Sequence, residues 1–264
     1  MPNDLRHIIW RSNLNNIEVE REYNNLLRTD KILTVSQFEL NILSETRNFV
    51  NRHVSTNLFD VTMIQCMKTI LSYYEKKTDK ILSDYNYMIA IPIIVCFCEL
   101  RWLLSTPSEL IGIYHSIVDI VKGFDPVTGL RSEQDESYEN QLVETTLKLL
   151  RENDLQLSKK LEDLLNNGKN NKTFSLIIRK FIQSLGFSYL NVDTTLFLWD
   201  QIILRVKPNR KEIYTGFIAM LMCAKEELMN TEKWSDFAEM IYLKGKAIRH
   251  DDFTAKFREL SKVK

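Results

Sequence analysis

The sequence predicts an all-α fold without sheet, and three observations carry that prediction. Glycine and proline are scarce, at 7 and 5 of 264 residues. Apolar residues recur three and four positions apart almost everywhere, and the breaks between periodic stretches are short and polar. No Pro-, Gly- or Ser-rich stretch reads as a linker, so a single domain is expected, and a hydrophobic content of 44% is ample for a large core.

Taken in order, a first helix over Asp4–Leu14 presents Leu5, Ile8, Ile9 and Trp10, with Asp4 at the end where a negative charge is favoured. A second over Ile17–Leu27 carries Ile17, Tyr23, Leu26 and Leu27. Ser36 and Glu39 form a Ser-x-x-Glu box that opens a third helix to Val50, with Phe38, Ile42, Phe49 and Val50 on one face. Asp60 caps a fourth, in which Val61, Ile64, Met67, Ile70, Leu71 and Tyr74 make one stripe. Asp84–Leu104 is apolar all round, hence central, with Pro92 able to kink it. Pro107–Val121 follows and is stopped by Gly123, Asp125 and Pro126.

Asp125–Asn140, polar and acidic, is expected to be a mobile loop. The second half reads as helices over Leu142–Asn153, Leu155–Leu165 and Thr173–Leu185, the last ended by Gly186. Asp193–Leu204 comes next, capped by Asp193 or Thr194, then Ile213–Met229 and a last stretch from Trp234 to Leu260.

Charge excludes some functions. The 35 Lys and Arg balance the 35 Asp and Glu, so no global field draws the protein onto nucleic acid. Two short basic clusters, Lys207/Arg210/Lys211 and Lys76/Lys77/Lys80, are mixed with acids and read as solvated faces. The four cysteines, Cys66, Cys96, Cys98 and Cys223, lie irregularly in apolar runs, where a thiol acts as a small hydrophobe; a reducing, cytoplasmic compartment fits. The start of the chain shows no secretory signal. The apolar run Met88–Cys98 falls well short of the roughly 20 residues needed to cross a bilayer, so it is expected in the core; no direct membrane insertion is expected, only peripheral recruitment by partners.

Catalytic motifs are missing. No Gly-rich segment could wrap a phosphate, and His7, His53, His115 and His250 never approach metal-ligand spacing, so neither a cofactor nor a metal is expected. Gly186-Phe187-Ser188-Tyr189-Leu190 lacks the second glycine of a nucleophile elbow. Paired acids such as Glu226/Glu227 and Asp251/Asp252 sit in polar surroundings and read as surface residues.

Four stretches nevertheless form a familiar order. They are Leu5-Arg6-His7-Ile8-Ile9-Trp10 with Tyr23, Leu26 and Leu27 after it, then Leu149-Leu150-Arg151-Glu152-Asn153-Asp154-Leu155, then Phe187-Ser188-Tyr189-Leu190, and Leu196-Phe197-Leu198-Trp199-Asp200. Together they resemble, in divergent form and over nearly the whole chain, the TBC domain of Rab GTPase-activating proteins. That resemblance implies a two-lobed helical fold, with an N-terminal lobe of residues 1–124 and a C-terminal lobe of residues 141–264 on either side of the loop, whose halves enclose a groove for a Rab-type GTPase. It also implies an arginine finger and a glutamine finger acting on the partner's bound nucleotide. An arginine finger accelerates hydrolysis roughly 10³- to 10⁵-fold, about 4–7 kcal/mol of barrier, by stabilising charge on the transferring phosphoryl group.

The family's arginine motif, Ile-x-x-Asp-x-x-Arg-Thr, is nearest to Ile42-Leu43-Ser44-Glu45-Thr46-Arg47-Asn48-Phe49, which makes Arg47 the candidate finger. Without a gap, Asn41, Ser44 and Asn48 take the isoleucine, acidic and threonine positions; matching Ile42 and Glu45 instead brings the arginine one residue early. Read from the residues alone, Arg47 is an exposed helical arginine facing solvent or Glu45. The glutamine motif, Gly-Tyr-Val-Gln-Gly-Met, has no counterpart. Aligning Pro92 with the family's Ala-Pro-hydrophobic continuation puts Asp84 at the finger position, with Tyr85, Asn86 and Tyr87 as further partner-contacting candidates. A carboxylate cannot make glutamine's amide hydrogen bonds and is repelled by phosphate. The expectation is therefore a TBC-like module that binds a Rab-type GTPase or its regulatory partner in membrane trafficking, with weak or absent stimulation of hydrolysis. The alternatives are an active GTPase-activating protein using Arg47, and a helical scaffold subunit of a larger complex without GTPase recognition.

Overall fold

The computed structural model describes residues 1, 3–53, 61–98, 106–125, 133–165, 170–205 and 210–262. Among them the chain is helical throughout, with no strand. Contacts divide it into two compact units, Met1–Ile120 and Val121–Lys264.

The first unit contains α1 (Asn3–Leu14), α2 (Ile17–Thr29), a single 3-10 turn (Lys31–Thr34), α3 (Glu39–His53), α4 (Val61–Thr78), α5 (Asp84–Cys98) and α6 (Pro107–Phe124) as far as Ile120. As the all-round apolar pattern requires, α5 is the centre: every residue from Ile89 to Phe97 is buried, including Pro92, which cannot donate to the carbonyl one turn earlier. Met67, Ile70 and Leu71 of α4 and Ile111, Ile113, Tyr114 and Ile117 of α6 complete this core. Val61, placed on the α4 stripe by the sequence, is instead 73% exposed at the helix start. The corner between α1 and α2 sits tightly on α6, where a Cβ at Gly112 would come within 3.1 Å of the Asn16 carbonyl oxygen.

The box at Ser36 does not form. The Ser36 hydroxyl accepts from the Phe38 amide, its own amide donates to Ser72 Oγ, and the Glu39 carboxylate pairs with Lys68. Two partners on α4 therefore outbid the local motif, and α3 begins only at Glu39. The reciprocal box lies instead at α6: the Thr106 amide donates to Glu109 Oε2 (3.0 Å) and the Glu109 amide to Thr106 Oγ1 (3.4 Å).

The second unit contains α7 (Glu133–Asn153), α8 (Leu155–Leu165), α9 (Asn171–Gln183), α10 (Val192–Ile203), α11 (Arg210–Cys223), α12 (Lys225–Met229), α13 (Trp234–Ala247) and α14 (His250–Lys262). Here α7 packs on α8 and α9, and α11 packs on α14. The expected loop Asp125–Asn140 is corrected at both ends. Residues 133–140 are the first turns of α7, anchored by buried Tyr138, whose hydroxyl donates to the Phe124 carbonyl. Asp125 is fully buried and accepts from Arg179 Nε (3.0 Å) and Gln183 Nε2 (2.5 Å). Residues 126–132 lie outside the described residues. Two long helices of the sequence reading are each two: one breaks at Ala224 and the other at Ile248, which turns to φ −59°, ψ 129°. The cap of α10 is Asn191, accepting from the Thr194 amide, rather than Asp193 or Thr194.

The Leu-Trp-Asp stretch has a structural task. After α9 the chain turns through Leu185 (φ 47°) and Gly186 (φ 90°), and Trp199 of α10, wholly buried, donates its indole N–H to the Leu185 carbonyl (2.9 Å). From α13, Lys246 Nζ donates to the carbonyls of Phe187 (2.6 Å) and Leu190 (2.8 Å) and lies 4.8 Å from the Phe187 ring centre. Burial pulls its pKa down to about 8.

Candidate functional site

The candidate residues from the sequence, Arg47 and Asp84 to Tyr87, all fall in the first unit, on α3 and at the N-terminus of α5. In α3 the buried positions are Ile42, Thr46, Phe49 and Val50, one helical face. Glu45 and Arg47 are both exposed, on either side of that face, because two residues along a helix are about 200° apart. Arg47 therefore does not turn back toward Glu45, which instead accepts from Asn48 Nδ2 (3.4 Å). Arg47 makes no ion pair among the described residues.

The start of α5 is built around Asn86. Its side-chain oxygen accepts from the Ser83 amide (2.9 Å) and hydroxyl (3.0 Å), its side-chain nitrogen donates to the Tyr114 hydroxyl (3.1 Å), and that hydroxyl donates to the Asn86 carbonyl (3.3 Å). Burial drives the Tyr114 phenol well above its ordinary pKa, with the Asn86 hydrogen bond offsetting part of the rise. Tyr87, buried, stacks on Phe49 of α3 with ring centres 4.8 Å apart and planes 9° from parallel. Its phenol is pushed up to about 12, first by burial and then by the nearby carboxylates of Glu45 and Asp84.

The structure thus brings Asp84, Tyr87 and Glu45 together and leaves Arg47 on the other flank of α3. Asn86 and Tyr87 spend their polar groups and ring faces inside the fold, while Asp84 is exposed and Tyr85 half-buried. The sequence reading did not pair Phe49 and Glu45 with Tyr87. The signal was present in their spacing, since the two α3 residues are one turn apart and share a flank.

Elsewhere, a cavity of about 550 Å³ in the second unit is lined by Cys223, Ala224, Ala247 and Ile248 and rimmed by paired charges, among them Lys244 with Glu227 and Lys256 with Glu259. Burial pushes the Cys223 thiol up to about 11, so it is protonated and a poor nucleophile at neutral pH. Among the described residues no group of His, Cys, Asp and Glu is placed to hold a metal, and no helix is long and apolar enough to cross a membrane.

No family model matches the sequence, and no curated protein matches it. The fold does find a match: the crystal structure of the Chlamydomonas flagellar RabGAP TBC domain superposes with a TM-score of 0.69, at 12% identity, over 98% of this chain and 81% of that one. At so low an identity the likeness speaks for architecture, and the architecture of this all-helical chain is that of a divergent TBC domain.

Proposed function

We propose that the chain is a TBC-like module that binds a Rab-type small GTPase, or a regulatory partner of one, with weak or absent stimulation of GTP hydrolysis. The observation that carries this reading is the likeness of fold over 98% of the chain to a domain described as a RabGAP TBC domain. The weak activity rests on the finger positions. No glutamine occurs between Lys80 and Pro92, and the residue at its place, Asp84, is an exposed acid that would repel the partner's phosphates. Arg47 lies on the flank of α3 away from Glu45, whereas Asp84, at the start of α5, lies beside Tyr87 near Glu45, which speaks against the pair acting as two fingers on one nucleotide.

Capture of a Rab panel, each member loaded with GTP or GDP, tests recognition: selective retention of one nucleotide state is the expected result, and indifference to both would leave only a helical scaffold. A single-turnover hydrolysis assay with the captured member tests activity, with acceleration far below the roughly 10³- to 10⁵-fold of an arginine finger expected.

One observation favours a second reading, an active GTPase-activating protein. Arg47 is exposed and makes no ion pair among the described residues, so no internal bond has to break for it to enter a partner's site. Strong acceleration that disappears in Arg47→Ala would establish it.

A further inference from the structure

From the 3-10 turn after α2 to the start of α3 the chain exposes large apolar side chains where a solvated stretch would be polar. Ile32 is 78% exposed, Leu33 44%, Phe38 44% and Leu40 79%, all within nine consecutive residues. Singly exposed apolar residues are ordinary, but four so close together mark a contact surface. The four side chains project into solvent from the 3-10 turn, the link after it and the start of α3, so this apolar protrusion can enter a soft medium without needing a complementary hollow.

The free charge here is mostly cationic. Arg28 and Lys31 flank the turn, exposed and without an ion pair among the described residues. Asp30, between them, uses a side-chain oxygen to cap the Ile32 amide (3.1 Å). The acids nearby on α2 and α3, Glu22 and Glu39, are paired with Lys77 and Lys68 of α4. Lys76 adds another unpaired, exposed cation: Ser36 is bonded to Ser72 of α4, and Lys76 stands one turn farther on the same face.

We propose that this protrusion docks on an anionic phospholipid surface, with Ile32, Leu33, Phe38 and Leu40 entering the headgroup boundary and Arg28, Lys31 and Lys76 meeting lipid phosphates. Such contact lies on the membrane rather than across it, and it differs from recruitment by a protein partner alone. Each apolar tip contributes in proportion to the area it buries, and each cation adds a smaller, salt-sensitive attraction.

Co-sedimentation of the full chain with vesicles tests this, comparing phosphatidylcholine alone with an equal mixture of phosphatidylcholine and phosphatidylserine. Binding is expected to the mixed vesicles and to fall with added salt. The variant Ile32→Ser/Leu40→Ser, whose charge is unchanged, should lose about tenfold or more in partitioning. Arg28→Ala/Lys31→Ala should lose severalfold at low salt and little at high salt. Both variants alter exposed residues, and an unchanged thermal melt confirms that each folds. No binding of the wild type, or equal binding by the serine variant, would overturn the proposal. So would a serine variant that loses capture of a GTP-loaded Rab while the wild type ignores vesicles, since the protrusion would then be a protein contact. Rab capture without vesicle binding removes this inference and leaves the proposed function standing; the reverse does the opposite.

Discussion

At the scale of single residues, Lys246 and Trp199 share one task, closing the turn after α9. Trp199→Phe removes the donor to a buried carbonyl, which is expected to cost about 1–3 kcal/mol, read as a lower urea midpoint. Lys246 gives a pH signature. Its folded pKa is depressed to about 8 from an ordinary value of 10.5, so above pH 8 the unfolded chain holds a proton that the folded chain has shed. More protons on the unfolded side means that stability rises with pH, on the order of 1–2 kcal/mol between about pH 8 and 10. Above that, buried phenols such as Tyr73 and Tyr138, whose pKa values are raised, reverse the slope. Urea midpoints across this range should show the rise in the wild type and not in Lys246→Met. Neither role was legible in the sequence: the carbonyl that Trp199 serves lies 14 residues upstream across a turn, those of Lys246 lie more than fifty residues upstream, and no local pattern encodes a carbonyl's need for such a donor.

At the scale of elements, α3 separates a packed face from an exposed one. Phe49→Ala empties the stack on Tyr87 and is expected to cost about 3–5 kcal/mol, whereas Arg47→Ala on the exposed flank should stay within about 0.5 kcal/mol; thermal melts of the two variants decide it. Gly186→Ala imposes a Cβ on a backbone at φ 90° and within 3.0 Å of Leu198, and should lose at least about 1–2 kcal/mol in the same melts. Helix positions were readable wherever an apolar stripe was long, as in α4 and α5. Helix ends were not. Ser36 and Thr106 both start a Ser/Thr-x-x-Glu pattern, and it is the tertiary partners, Ser72 for Ser36 and Lys68 for Glu39, that leave the first box open. Ala224 and Ile248 break helices with residues that carry no local stop signal. Of the candidate site, Arg47 and Asp84 could be named from motif alignment, but that Tyr87 meets the flank of α3 that carries Glu45 and not the one that carries Arg47 is a fact of packing.

At the scale of the whole molecule, the family likeness was legible in the order of segments more than in any motif, and the comparison of folds agrees with it where sequence matching finds nothing. Two chains can share this architecture at 12% identity because many apolar residues satisfy the same core. On the proposed reading, the expected phenotype is a GTPase binder whose capture depends on the bound nucleotide and whose effect on turnover is small, measured with one Rab panel for both. The ammonium of Lys246, tied to carbonyls more than fifty residues upstream, also sets an order of assembly. While the chain is being translated, the turn after α9 and the helix it feeds leave the ribosome with two carbonyls still waiting, and the motif is completed only when α13 has been synthesised.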